Sequence, residues 1–207
     1  TGATPPASGF MGEVRVLGLF QNCGAMLNML TLMMGQFVPF TYIAPMLKEV
    51  TGLDAAIVPW VLLVNGVGST VGVFLGGKLA DWKLMPSLIA MLAMQSVVLA
   101  AMYLVSPYPL PMILSITAWG ALNFAIGTPI QSRILGWTAD APNLAASLIP
   151  SGFNFGIAIA AFLGATLLNG GYGYRSLPVV GVVAMAIAAL VALLSYSAER
   201  RSGATPP

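Results

Sequence analysis

Six long apolar stretches fill residues 20–197, and almost every charged side chain falls in the gaps between them. The stretches cover about 21–47, 55–76, 86–105, 111–131, 142–168 and 177–197. A bilayer's hydrocarbon core is about 30 Å thick and takes about 20 helical residues to cross. Within it every backbone polar group must be satisfied internally, which leaves helices as the spanning element for segments of this length. The pattern predicts an all-α membrane protein of six transmembrane helices. Composition agrees: 58% of residues are hydrophobic and 7% charged, against about 25% charged in a soluble domain.

The same composition excludes several kinds of chemistry. A net charge of +2 gives no basis for a nucleic-acid partner. The single cysteine, Cys23, rules out an intrachain disulfide and a thiolate metal cluster. The absence of histidine removes Ser-His and Cys-His nucleophilic catalysis and the commonest metal ligand. No enzyme activity, cofactor or metal is expected. All six acids lie in loops or at segment ends; because a charge at the bilayer centre costs at least about 2.5–3.5 kcal/mol, buried acids persist mainly for function. No residue here is therefore assigned a coupling proton. Gly171-Tyr172-Gly173 has the tripeptide of a potassium filter but lacks the preceding Thr-Val and a pore helix.

Local signals set the boundaries. Residues 1–12 read as a disordered linker, 13–200 as the transmembrane domain and 201–207 as a disordered tail, with Gly-Ala-Thr-Pro-Pro at both 2–6 and 203–207. Glu13, Arg15, Leu17 and Phe20 suit the interface before the first segment. The chain reads as part of a longer one. Asp54 suits an N-cap for the second segment. Gly77 to Met85 reads as a tight charged turn, and Arg133 to Asn143 as a polar connection ending in Asp140-Ala141-Pro142, a cap and a helix-starting proline. With both termini on one side, that side carries Arg15, Lys78, Lys83, Arg133, Arg200 and Arg201, and the other only Lys48 and Arg175. The positive-inside rule places both termini in the cytoplasm.

Small residues recur at a spacing of four in two segments. The second carries Gly68, Gly72 and Gly76; the fifth carries Gly152, Gly156, Ala160 and Gly164. Such a row bares one helix face and admits a neighbouring backbone. The two rows occupy equivalent places if the segments form two groups of three, and an odd number of spans per group inverts the second copy. A 3+3 inverted repeat is a transporter architecture. Segments one and four also correspond, each holding prolines and amides. On the first, Asn28, Thr31, Gly35 and Tyr42 share a stripe with Gln36 at its edge; on the fourth, Gly120, Asn123, Gly127 and Gln131 form another. Such stripes suit either a cavity for a small polar or amphipathic solute or hydrogen bonds between helices. Asn65 and Asn154 are expected at an interface between halves, and Met26, Met29, Met33 and Met34 in lipid or core packing, with the lining of a permissive drug pocket as the alternative.

Four sequence pieces carry a family resemblance. Phe40-Thr41-Tyr42-Ile43-Ala44-Pro45 ends the first segment, and Gly76-Gly77-Lys78-Leu79-Ala80-Asp81-Trp82-Lys83 joins the second to the third. Asn154-Phe155-Gly156-Ile157-Ala158 lies in the fifth, and Gly171-Tyr172-Gly173-Tyr174-Arg175 precedes the sixth. In this order they resemble the C-terminal half of the major facilitator superfamily, nearest to its twelve-span drug:proton antiporters and arabinose-efflux-permease-like proteins, over about residues 13–200. The resemblance implies that these are spans seven to twelve of a bacterial inner-membrane efflux transporter working by alternating access. Its partners would be a small-molecule substrate, membrane lipid and an N-terminal six-helix half. Segments one and four would line the central cavity, two and five would face the other half, and three and six would face lipid. The family's Gly-x-Leu-Ala-Asp-Arg-x-Gly-Arg-Arg signature is matched at Gly77, Leu79, Ala80, Asp81 and the base Lys83; Trp82 replaces its first Arg and the later Gly is missing. That signature implies a conformational role for Gly77, Asp81 and Lys83. The residues taken alone also admit a non-transporting six-span scaffold or a half-transporter acting as a homodimer.

Overall fold

The computed structural model describes residues 20–137 and 142–202, and all its elements are helical. They are α1 (Phe20–Thr41), α2 (Ile43–Glu49), α3 (Val58–Val105), α4 (Pro109–Trp137), α5 (Pro142–Asn169), a 3-10 turn (Tyr174–Ser176) and α6 (Leu177–Ser202). The linker expected at 1–12, the interfacial Glu13, Arg15 and Leu17, the cap Asp140 and tail residues 203–207 lie outside the described residues. By length and composition, four described helices can cross a membrane, or five if the bent pair α1–α2 is one span. The molecule is a membrane protein.

Two prolines decide where helices break. Between α1 and α2 the axis bends by 43°. Pro45 has no N–H to offer the Thr41 carbonyl four residues back, and its ring crowds that oxygen; Tyr42 N–H turns instead to Pro39 O at 3.3 Å. The second break falls inside α3. At 1.5 Å per residue its 48 residues would measure about 72 Å if straight, more than twice the hydrocarbon thickness. Lys83 leaves helical geometry at φ −153°, ψ 87°, splitting the run into arms at 58–82 and 84–105. Pro86, four residues beyond Trp82, removes the hydrogen bond that would have bridged the break.

Several expected boundaries are corrected. Residues 77–82 are helical, so the turn expected from Gly77 to Met85 shrinks to one residue, Lys83. Asp54 does not cap α3. Its Oδ1 accepts Ala56 N–H at 2.8 Å in a turn before the helix, which starts at Val58. Arg133 to Trp137 continue α4 rather than forming a loop, and Arg201 and Ser202 extend α6 into the expected tail.

The glycine rows dock on different partners. On α3, Gly68, Gly72 and Gly76 lie against Thr117, Ala121 and Ala125 of α4, three residues also spaced by four. On α5, Gly152 and Gly156 lie against Met29 and Met33 of α1, and Gly164 against Tyr42 at the α1–α2 junction, with Ala160 buried between them. Gly35 of α1 meets Ala184 and Met185 of α6, and the Gly35 carbonyl, deprived of its helical donor by Pro39, approaches Gly181. The second arm of α3 crosses α6 where Ser96 Oγ donates to Val182 O at 3.0 Å. The core holds Leu32, Leu92, Leu99, Met112, Ile116 and Trp119, all buried. Large apolar side chains such as Trp60, Phe74, Phe155 and Phe162 remain exposed outside it, as expected where the surroundings are lipid or another bundle.

Candidate functional site

A cavity of about 340 Å³ opens where four helical segments meet. Met33 and Phe37 come from α1, Val73 from the first arm of α3, and Phe153 and Ile157 from α5. The longest wall belongs to α4: Asn123, Phe124, Gly127, Thr128 and Gln131. Asn123, Gly127 and Gln131 recur every four residues and so share one face. Gly127 has open space beside it, which leaves the backbone accessible between the two amides. The wall is thus mostly apolar and aromatic, with three neutral polar groups and no ionisable side chain. That combination suits an amphipathic solute, buried by its apolar body and oriented by a few hydrogen bonds.

The expected cavity residues divide. Asn123 and Gln131 line the cavity; Asn28, Thr31, Gln36 and Tyr42 do not. Asn28 is buried and its Nδ2 donates to Ala188 O on α6 at 2.8 Å. The Thr31 hydroxyl turns back onto its own helix, 2.6 Å from Leu27 O. Gln36 is buried, and its Oε1 accepts from Gln95 Nε2 at 2.8 Å. Tyr42 is half-buried and its hydroxyl donates to Ala161 O of α5 at 3.3 Å. These amides face inward because a buried amide needs a partner, and neighbouring helices supply one. Met33 and Phe37 occupy the cavity face of α1 instead.

One other expectation changes. Asn65, expected at an interface between halves, is buried against α4, where a Cβ on Gly120 would collide with its Oδ1. Asn154 is exposed on α5, its Nδ2 donating to Pro150 O at 2.9 Å. Of the signature residues, Gly77 has nothing within 4 Å of the place a methyl side chain would occupy, so no described residue approaches it closely. Asp81 and Lys83 are exposed, and Lys83 Nζ sits 5.0 Å from the centre of the Trp82 ring.

One functional candidate escapes sequence reasoning. Arg133 Nη2 and Glu199 Oε1 form an ion pair at 2.7 Å with side chains 2% and 5% exposed. It joins the ends of α4 and α6 across 66 residues of sequence. Burying both charges is costly unless they are paired, so the pair binds the two helix ends together. The available signal is weak: Arg133 falls at helical spacing from Ile130, which extends the fourth segment past its polar edge.

Comparison with known proteins places these features. The sequence profile of the Major Facilitator Superfamily matches residues 22–207. The chain is 32% identical over 183 residues to the inner membrane transport protein YdhP of Escherichia coli strain K12, covering 88% of this chain and 47% of that protein. It is 31% identical over 139 residues to the uncharacterized MFS-type transporter YtbD of Bacillus subtilis strain 168, covering 65% of this chain and 35% of that protein. It is 30% identical over 146 residues to a chloramphenicol resistance protein of Streptomyces lividans, covering 70% and 36% respectively. The chain spans about half the length, or less, of these curated relatives.

Proposed function

The chain belongs to the Major Facilitator Superfamily, and on that premise we propose that it is the C-terminal half of an efflux transporter for small amphipathic solutes. The six spans would be α1 with α2, the two arms of α3, α4, α5 and α6. The contacts support a 3+3 inverted repeat. If spans one, two and three correspond to four, five and six, the docking of span two on four is mirrored by five on one. The contact of span one with six is mirrored by four with three, where Gln95 reaches the Trp119 carbonyl. A transporter built this way works by one bundle rocking against another around a central site. Both termini would lie in the cytoplasm, and the inner membrane is the location named for the Escherichia coli relative.

The cavity carries the reading. Its lining comes from spans one, two, four and five, leaving three and six outside. With no ionisable group in its wall, it favours uncharged or weakly polar solutes, and the resistance protein from Streptomyces lividans makes chloramphenicol a fitting first probe. Coupling to protons would then fall to the other half.

Transport by the full-length protein in vesicles tests this. Asn123→Ala and Gln131→Ala should each raise KM for a transported solute by roughly 2- to 10-fold, the worth of one hydrogen bond of about 0.5–1.5 kcal/mol. A protein that moves no solute from a broad drug panel would stand as a scaffold. One whose KM values ignore both substitutions would bind its solute elsewhere.

A further inference from the structure

Behind the cavity wall lies a buried polar cluster that takes no part in lining it. Gln36 and Gln95 are fully buried and Trp119 is 1% exposed. Gln95 belongs to the second arm of α3, a segment whose family resemblance assigns it to lipid, yet its side chain points into the bundle. Its Nε2 carries two hydrogens and uses both. One goes to Gln36 Oε1 at 2.8 Å and the other to the Trp119 carbonyl at 3.3 Å.

Each of those acceptors stands next to a wall residue. Gln36 precedes Phe37, and one residue of helix rotates the side chain by about 100°, so Gln36 faces the core while Phe37 faces the cavity. The Trp119 carbonyl is in helical register with the N–H of Asn123, four residues on. Gln95 therefore grips α1 at the back of Phe37 and α4 at the turn that carries Asn123. A chain of rings parallels the grip: Phe37 to Phe40 at 5.4 Å between centroids, and Phe40 to Trp119 at 5.8 Å.

The cluster is poorly satisfied for its depth. Gln36 Nε2, Gln95 Oε1 and Trp119 Nε1 have no hydrogen-bond partner among the described residues. Such a network is costly when partly satisfied, and replacing both members of a buried pair by apolar groups of the same shape is often neutral or stabilising. What the pair supplies is a fixed geometry, since one amide nitrogen ties three helical segments together.

We propose that Gln95 is a positioning residue that fixes the spacing and rotation of α1 against α4, and through them the two opposing walls of the solute cavity. The inference rests on the transport reading only for its consequence in solute affinity, since the geometric effect is measurable without transport.

The test uses the full-length protein in membranes, freed of other cysteines, with cysteines at Phe37 and Asn123. A graded series of bis-methanethiosulfonate linkers reports the distances the walls sample. With Gln95 present, one linker length should dominate. Gln95→Met keeps volume and removes both donors, and the reaction should spread over neighbouring lengths. Gln36→Met with Gln95→Met leaves no lone buried amide and carries the test if the single variant does not fold. An unchanged linker preference in either variant overturns the proposal, as does its recovery in the double variant. In the cysteine-intact protein, KM for chloramphenicol should rise about fivefold with kcat held, a split that mere loss of packing would not produce. A spread in linker length with KM unmoved would uphold the positioning role and refute this cavity as the solute site.

Discussion

Two helices carry glycines at the same four-residue spacing, and they meet different kinds of neighbour. On the first arm of α3, Gly72 and Gly76 face backbone: a methyl group on either would fall 2.7 and 2.8 Å from the carbonyl carbons of Ala121 and Ala125, and closer still to their oxygens. On α5, Gly152, Gly156 and Gly164 face side chains: the Met29 methyl, the Met33 Cβ and the Tyr42 ring. Backbone can retreat only if the whole helix moves, whereas a methionine end can rotate away. The α3–α4 contact is therefore a rigid seam, and the α5–α1 contact is a compliant one. In a bundle whose first helix is also broken at Tyr42, compliance sits on the side that already bends.

The sharpest way to break this contrast is a large residue in the rigid seam. Gly72→Leu would drive four extra carbons into the Ala121 peptide. No rotamer avoids it, and α3 and α4 must separate along the row from Gly68 to Gly76. Overpacking ordinarily costs about 1–3 kcal/mol, and more where the obstacle is backbone. The expected outcome is a full-length protein that inserts in the membrane but neither survives a thermal ramp in detergent nor transports. Wild-type melting and transport would show that the seam is loose.

Within the compliant contact the prediction is graded. At Gly156 a methyl lies 2.6 Å from Met33 Cβ and 3.3 Å from Leu30 O, and a Cβ is fixed to its helix. Gly156→Ala should destabilise by about 1–3 kcal/mol and, because Met33 lines the cavity, should also disturb solute affinity. Gly152→Ala meets only the mobile end of Met29 within 3 Å. The gain of about 1 kcal/mol from replacing a helical glycine should offset the displaced rotamer. Thermal melting of the two variants side by side checks the order; equal losses would make the α5 row as unyielding as the α3 row.

This bundle's medium and its glycine rows are legible in the sequence because hydropathy and four-residue spacing are local properties. The partners of those rows are not local. Nothing near Gly72 indicates Ala121, 49 positions away in sequence (121 − 72). The amides show the same limit. A polar stripe on a helix does not say which neighbour it meets, so Gln36 and Asn28 look equivalent to Asn123 until the neighbouring helices are in place. Gln131 and Asn123 line the cavity because α5 and α1 leave space opposite them, a property of three helices together. Arg133 and Glu199 read separately as end charges and become a buried pair only when α4 and α6 converge. The break at Lys83 is nearer to hand, since Pro86 stands three residues on, but charge and glycine around it point to a longer turn.

The smallest expected effect lies at Gly77, one residue beyond the rigid row. A methyl there meets nothing within 4 Å, and the backbone is helical. Within the described bundle Gly77→Ala should therefore stabilise, by the roughly 1 kcal/mol that separates glycine from alanine in a helix. On the proposed reading of the chain as half of a transporter, a helix of the other half would come close at this glycine. If that half packs here, the same methyl that helps α3 must obstruct the closed arrangement of the two halves. The two effects separate by measurement: thermal stability of the full-length protein should hold or rise slightly while its transport rate falls by a few-fold. A rise in stability with transport unchanged would leave Gly77 as a helical residue facing open space and would move the contact between halves to another part of α3. A fall in both would mean that Gly77 is part of the rigid seam after all, with the row extending one residue further round the helix than Gly68, Gly72 and Gly76 define.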